Sequence, residues 1–285
     1  MVTKGQRAVH LSIKNFSGSV EHYYHFFMGF LVPLVHWYYS TEARRTYPRI
    51  YIRSCALLDS IVFEIDLKGV VVLNRELHKS LESEPEYEEN YLEHVVLEGY
   101  DHPTRYSKEV FDYVKSRVES LFFLKMERSV KKITQRKSEK ILVINRSTPN
   151  YYYSSDKSEI RTAGTDRRSI PNFNEIIELL PKENTVSTTM EGKTLREQFL
   201  LFSNAKIVVA QHGAALANII FCGADTRIVE IVPQDLPQSI LVTNYFGELA
   251  KRLHLEYACV RQTSRHSNVD AREIANIVQK SLFSL

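Results

Sequence analysis

Short apolar runs recur along this chain, each followed by a stretch of helical composition, and that alternation restricts the fold more than any other feature. The runs are Arg7–Lys14, Arg49–Cys55, Val70–Asn74, Ile141–Asn145, Thr185–Thr189, Ile207–Gln211, Ile228–Val232 and Tyr257–Arg261. Helices are predicted over Ser19–Tyr39, Leu57–Ile65, Lys108–Phe123, Asn174–Leu180, Thr194–Ser203, Ala214–Phe221, Ser239–His254 and Asp270–Phe283. A parallel neighbour is reached only through a crossover, so strands alternating with helices imply parallel sheets covered by helices on both faces. The expected class is α/β.

The runs fall into two groups. Between them lies Lys125–Lys140, which holds Lys125, Arg128, Lys131, Lys132, Arg136, Lys137 and Lys140. Such a charge run reads as a solvated helix end and linker; the other reading is a basic surface facing an anionic donor or polymer. The boundary is placed near residue 138, giving an N-terminal Rossmann-like domain over 1–138 and a C-terminal one over 139–285. The last helix, 270–283, is free to pack back on the N-terminal domain. In open sheets of this kind ligands bind beyond the carboxyl ends of the strands, so those loops are the place to look for a site.

Composition mainly excludes. The 37 Lys and Arg against 34 Asp and Glu leave a formal charge of +3 over 285 residues, which is no electrostatic footprint for nucleic acid. Cys55, Cys222 and Cys259 are too few and too scattered for a disulfide framework or a zinc site, and read as buried thiols in a reducing compartment. The segment Met1–Arg7 lacks the apolar core of a signal peptide. The most apolar stretch, Tyr23–Tyr39, is interrupted by His25, Pro33 and His36 and falls short of the roughly 20 residues needed to cross a bilayer. A buried helix, no membrane segment and a cytoplasmic location are expected.

Several familiar signatures are missing. There is no GxGxxG, and Gly192-Lys193-Thr194 mimics a phosphate-binding loop without the first glycine, because position 187 is Ser. No Asp-x-Asp pair, HExxH or GxSxG occurs. His22 and His25 have no Cys, His or Asp partners clustered near them in sequence, so no metal site is expected.

The most informative segment is Lys206-Ile-Val-Val-Ala-Gln211-His212-Gly213-Ala214-Ala215, which continues as Leu216 to Phe221. An apolar strand runs directly into His-Gly-Ala-Ala and then into a helix. Gly213, Ala214 and Ala215 would let the backbone approach a ligand, and unpaired N–H groups at the helix start suit a diphosphate. His212 at the strand end could donate to a phosphate oxygen; a tight turn with a packed histidine is the alternative. Glu230 lies inside the apolar strand Ile228–Val232, where a carboxylate needs hydrogen-bond partners. Those partners are either two ribose hydroxyls or an internal salt bridge. Arg146 ends the strand Ile141–Asn145, and Arg168 precedes Ser169-Ile170-Pro171-Asn172. Both guanidinium groups fall in carboxyl-end loops, where their forks suit phosphate, and Asn172 can cap the next helix.

Together these pieces resemble the family 61 glycosyltransferases. The resemblance rests on Arg146, on Arg168-x-Ile170-x-Asn172-x-x-Glu175, on Glu197-Gln198-Phe199, and on Gln211-His212-Gly213-Ala214-Ala215 followed by Ile228-Val229-Glu230-Ile231. It implies a GT-B-like architecture, with two Rossmann-like domains facing a central cleft. It further implies inverting transfer from a UDP-sugar to an oligosaccharide or glycoprotein glycan, with no cofactor and no metal required. Xylose is favoured as the sugar, GlcNAc second. The implied donor-binding residues are Arg146, Arg168, Asn172, His212, Gly213, Ala214, Ala215 and Glu230. The small size and tyrosine-rich composition resemble viral members such as chlorovirus xylosyltransferases, which would place the chain in host cytoplasm rather than a luminal enzyme stripped of its anchor.

The N-terminal half resembles the family only around Ser19–Gly29, where His25 fits the family's histidine and Gly29 stands where an aspartate is usual. With the donor on the C-terminal domain, the base that deprotonates the acceptor should come from the loop and helix after the first strand. Glu21 and His25 are i,i+4 on one helix face, and a carboxylate can orient an imidazole. His25 or Glu21 is therefore the expected base, with His212 on the leaving group. The aromatic side chains of Tyr23, Tyr24 and Trp37 could stack on sugars, and Tyr151-Tyr152-Tyr153 could offer an exposed aromatic surface. The alternatives are a catalytically silent nucleotide- or sugar-binding module and another doubly wound nucleotide-sugar enzyme, such as an epimerase.

Overall fold

Among the described residues every strand pairs in parallel, in two separate sheets. The computed structural model describes residues 8–15, 20, 22–55, 57–74, 77, 92–124, 140–147 and 164–283. The first sheet contains β1 (Ala8–Asn15), β2 (Arg49–Arg53), β3 (Val70–Leu73) and β4 (Leu92–Gly99), in the order β3-β2-β1-β4. The second contains β5 (Lys140–Ile144), β6 (Thr185–Thr188), β7 (Ala205–Gln211), β8 (Arg227–Pro233) and β9 (Glu256–Gln262), in the order β6-β5-β7-β8-β9. Both orders are doubly wound, and each has a point where the chain reverses direction across the sheet. That point lies between β1 and β4 in the first sheet, and between β5 and β7 in the second. Crevices open beyond the carboxyl ends of the strands at such points.

The strand β4 is absent from the sequence reading. It is an edge strand, and Glu93, His94, Val96 and Glu98 are exposed along it. Charged side chains on an exposed edge discourage pairing with another chain. They also interrupt the apolar run that marks the buried strands.

The intervening helices are α1 (Tyr23–Phe26), α2 (Val32–Ser40), α3 (Ala43–Thr46), α4 (Leu58–Glu64), α5 (Lys108–Leu124), α6 (Gly164–Arg167), α7 (Phe173–Leu179), α8 (Leu195–Ser203), α9 (Gln238–Thr243), α10 (Tyr245–Arg252) and α11 (Ala271–Phe283). A π-helical turn, Phe27–Leu31, joins α1 to α2. Its extra residue re-aims the helix, and the Tyr106 hydroxyl donates to the Met28 carbonyl at 2.7 Å. The single helix expected over Ser239–His254 is broken at Asn244, whose φ of 45° is left-handed. The segment Ala214–Phe221 is wound as a 3₁₀ helix.

Alternation along the strands sorts the second sheet's side chains onto two faces. Ile141, Val143, Ile207, Val209, Val229, Ile231 and Val260 pack with Phe173 and Ile176 of α7 and with Ala271, Ile274, Ala275 and Val278 of α11. The last helix thus covers its own sheet, against α7, β8 and β9, instead of returning to the N-terminal half. Its apolar side chains match that face. The opposite face, carrying Leu142, Ile144, Val208, Ala210 and Ile228, belongs to one core that extends through the first sheet and its helices. Phe27 meets Phe221 edge-to-face at 5.8 Å between ring centroids, and Phe122 meets Phe199 at 5.3 Å. No helix among the described residues is long and apolar enough to cross a membrane. The proposed linker lies outside the described residues apart from Lys140, whose ammonium donates to the Glu183 carbonyl at 3.0 Å.

Candidate active site

At the reversal point of the second sheet, Arg146 follows β5 and His212 follows β7. Arg146 Nε donates to Gln211 Oε1 at 2.8 Å, and its Nη2 donates to the His212 carbonyl at 2.6 Å. Arg168 Nη1 donates to the same carbonyl at 2.6 Å, so two guanidinium groups converge on one oxygen. Arg168 is buried, and among the described residues its Nε has no hydrogen-bond partner. Among the described residues neither group has a carboxylate in ion-pair contact. Burial, with the neighbouring Arg167, pushes Arg146 down to about 10. Burial, with Arg146 and Arg167, pushes Arg168 down to about 9. Glu191 lies near enough to act on Arg146 and Glu230 on Arg168, yet two converging guanidinium groups beside Arg167 concentrate positive charge that suits an anion.

Gly213 supports this cluster in a way the sequence does not reveal. Its φ of 166° is ordinary extended backbone. A Cβ there would lie 2.2 Å from Arg146 Nη2, so the missing side chain makes room for the guanidinium itself. Ala214 and Ala215, half-buried, open the 3₁₀ helix beside it.

The His212 imidazole is fixed from the other side. Its Nδ1 lies 2.5 Å from Glu230 Oε1, and the Tyr257 hydroxyl donates to Glu230 Oε2 at 2.7 Å. Phe246 packs edge-to-face on the imidazole at 5.2 Å. With Nδ1 held, Nε2 is the ring nitrogen left for a ligand.

The first sheet assembles a second group at its own reversal point. His25 lies in α1 after β1, Asp101 lies just beyond β4, and His25 Nδ1 is hydrogen-bonded to Asp101 Oδ2. Asp101 is buried, whereas the His25 side chain is 30% exposed. Tyr24 ties the two groups together. Its hydroxyl donates to the Asp101 carbonyl at 2.7 Å, and its ring packs on Phe246 at 5.3 Å, the same phenyl that contacts His212. Burial and the nearby Asp101 charge push the Tyr24 phenol well up, and the Glu230 charge adds to the rise. A histidine–carboxylate pair is thus joined to the Arg146–Arg168–His212 cluster through one aromatic layer, Tyr24 and Phe246.

A family model described as Glycosyltransferase 61 matches residues 23–229, a span that includes His25, Asp101, Arg146, Arg168 and His212 but ends one residue before Glu230. The chain belongs to glycosyltransferase family 61. No curated protein matches it.

Two residues assigned to donor binding have other work in this family 61 glycosyltransferase. Asn172 Nδ2 donates to Glu175 Oε2 at 2.8 Å and to the Val269 carbonyl at 2.9 Å, while its Oδ1 accepts from Val269 N at 3.0 Å. It clasps the start of α7 to the segment before α11, and it makes no side-chain cap. Glu230 has internal partners on both oxygens, His212 and Tyr257, so this buried carboxylate is satisfied without a ligand.

The histidine's carboxylate partner also differs from the expected one. Asp101 holds His25, while Glu21 and Tyr151-Tyr152-Tyr153 lie outside the described residues. The missed signal was Gly99-Tyr100-Asp101, an acidic residue just past an unrecognised strand. Tyr23 and Trp37 pack against the core, Trp37 stacking with Tyr47 at 6.2 Å. Among the described residues no cluster of three His, Cys, Asp or Glu side chains could hold a metal ion.

Proposed function

We propose that this glycosyltransferase moves a sugar from a UDP-sugar to a hydroxyl of a glycan, with inversion at the anomeric carbon and without a metal ion. The two halves form the walls of a GT-B-like cleft, divided near residue 138. The observation that carries the reading is the convergence of Arg146 and Arg168 on the His212 carbonyl, with neither guanidinium in ion-pair contact with a carboxylate among the described residues. A diphosphate placed there gains two fixed guanidinium groups and the start of the 3₁₀ helix, which supplies positive charge that a metal would otherwise bring. UDP as the nucleotide, and xylose ahead of GlcNAc, follow the family resemblance.

The His25–Asp101 pair supplies the base. An ionised Asp101 keeps the proton on Nδ1, which leaves Nε2 to take the acceptor's proton. As the acceptor oxygen bonds to the anomeric carbon from the face opposite the UDP, the bond from that carbon to the phosphate oxygen breaks. The departing electron pair is stabilised by Arg146, Arg168 and His212.

Thermal unfolding with UDP, UDP-xylose, UDP-GlcNAc and NAD tests the donor site. A ligand at 100 times its Kd stabilises by about 2.7 kcal/mol. UDP and at least one UDP-sugar should raise the melting temperature while NAD does not. No shift with any uridine ligand would overturn the donor assignment. UDP binding without UDP release in the presence of glycan acceptors would return the chain to a silent binding module.

A further inference from the structure

Three polar side chains run through the apolar core between the two halves, and the chemistry above uses none of them. The Tyr23 hydroxyl donates to Asn218 Oδ1 at 2.8 Å. Asn218 Nδ2 donates to Gln198 Oε1 at 2.8 Å and to the Ala215 carbonyl at 3.1 Å. Gln198 Nε2 donates in turn to the Lys193 carbonyl at 3.1 Å, just before α8. All three residues are buried, Asn218 completely.

The ends of this chain of hydrogen bonds are informative. Tyr23 belongs to the short helix that carries His25, and residues two apart on a helix point to opposite sides. The phenol therefore anchors the back of the turn that presents the imidazole. Asn218 lies in the 3₁₀ helix that begins at Ala214, immediately after the His212-Gly213 turn, and fastens that helix's first turn through Ala215. Around it the contacts between halves include apolar pairs, such as Phe27 on Phe221 and Phe122 on Phe199, and part-buried hydrogen bonds from the Lys115 ammonium to the Cys222 carbonyl and from the Arg196 N–H to the Glu64 carboxylate. Apolar packing tolerates sliding, whereas a hydrogen bond between buried groups is satisfied only in one register, and breaking it strands a polar atom.

We infer that Tyr23, Asn218 and Gln198 form a positioning relay that sets the His25 turn in register with the donor turn across the interface between the halves. This rests on the reading of His25 as base and of Arg146, Arg168 and His212 as the donor site. The relay touches no substrate. It fixes the separation between the atom that accepts the proton and the carbon that is attacked, a quantity to which rate is steeply sensitive.

Tyr23→Phe removes one hydroxyl and keeps the ring that packs on Phe27 at 5.7 Å. The expected result is kcat lower by about 10-fold or more, since a displacement near 1 Å can cost roughly 10²-fold. UDP affinity and the donor KM should stay within about 2-fold of wild type, because the donor site in the other half is intact. The pH dependence of kcat should keep its shape, as His25 and Asp101 are unchanged. In Tyr23→Phe/Asn218→Leu the second substitution should lower kcat little further, the coupling expected of partners in one network. Wild-type kcat in Tyr23→Phe would overturn the relay, and so would loss of UDP affinity in parallel with kcat, which marks damage to the donor turn. His25→Ala is measured alongside: full turnover there removes the base assignment and the relay with it. An inactive His25→Ala beside a fully active Tyr23→Phe removes the relay alone.

Discussion

Asp101 grips His25 Nδ1 from a strand end 76 residues away in sequence, across the reversal point of the first sheet. The pairing exists only because β4 inserts next to β1, which brings the loop after β4 alongside the helix after β1. Asp101→Asn keeps the shape and removes the charge that holds the imidazole in its reactive tautomer. The expected loss is about 10²-fold or more in kcat, within the range for an impaired general base. UDP should still bind as in wild type. Turnover within a few-fold of wild type would show that the pair is structural.

Gly213 and Arg146 make the second prediction. Because a Cβ at Gly213 would stand 2.2 Å from Arg146 Nη2, Gly213→Ala must push the guanidinium off the His212 carbonyl. A lost charged contact is worth about 1.5 kcal/mol, roughly tenfold in affinity. Calorimetric titration with UDP should show at least that weakening, while the unliganded chain unfolds near the wild-type temperature because φ is extended. Unchanged UDP affinity would place the diphosphate elsewhere.

The sequence carried most of this geometry where one residue type had one job. Eight of the nine described strands were legible, most clearly the central ones, where both-face burial makes the run nearly all apolar, as in Ile207-Val208-Val209-Ala210. The edge strand was not, since Glu93, His94 and Glu98 face outward and leave only Val95-Val96-Leu97 as signal. Arg146, Arg168 and His212, which the structure brings together, stand out in the sequence because charged and polar residues at the ends of parallel strands have few structural uses. Asp101 escaped with its strand. Asn172 was misread because its amide meets backbone near residue 269, a long-range contact that leaves no local pattern. Glu230 stayed ambiguous for a similar reason: Tyr257 reaches it from a strand that follows later in the chain.

Gly99 and Gly29 decide the stability of the base site. An added Cβ at Gly99 would lie 1.7 Å from the Gly29 carbonyl oxygen and 2.7 Å from its carbon. Both atoms are backbone of the π-helical turn that follows His25, so no side chain can yield. Gly29 thus takes part in a backbone-to-backbone contact that sets the end of β4 and, two residues on, Asp101. Gly99→Ala should destabilise by about 3 kcal/mol, the upper range for overpacking, and should lower kcat of the surviving folded fraction. Urea unfolding checks the first claim. A wild-type midpoint would mean that β4 can shift freely.

Arg168 links charge to stability, and the sign can be worked out. Its guanidinium is pushed down to about 9, chiefly by burial and then by Arg146, from an ordinary value above 12. The folded chain therefore holds this proton less tightly than the unfolded one. Burying the charge opposes folding in full below about pH 9, and the opposition fades as pH rises beyond that. Arg168→Met, which keeps an unbranched side chain and discards the charge, should unfold no more easily than wild type at pH 7. Its advantage should hold up to about pH 9 and narrow above it, by at most about 1.4 kcal/mol per pH unit. With the diphosphate seated as proposed, UDP would relieve the same penalty by neutralising the cluster, and should stabilise wild type far more than the variant at pH 7. A variant much less stable than wild type at pH 7 would mean that the bond to the His212 carbonyl outweighs the burial of charge. An equal UDP shift in both proteins would mean that Arg168 does not face the diphosphate.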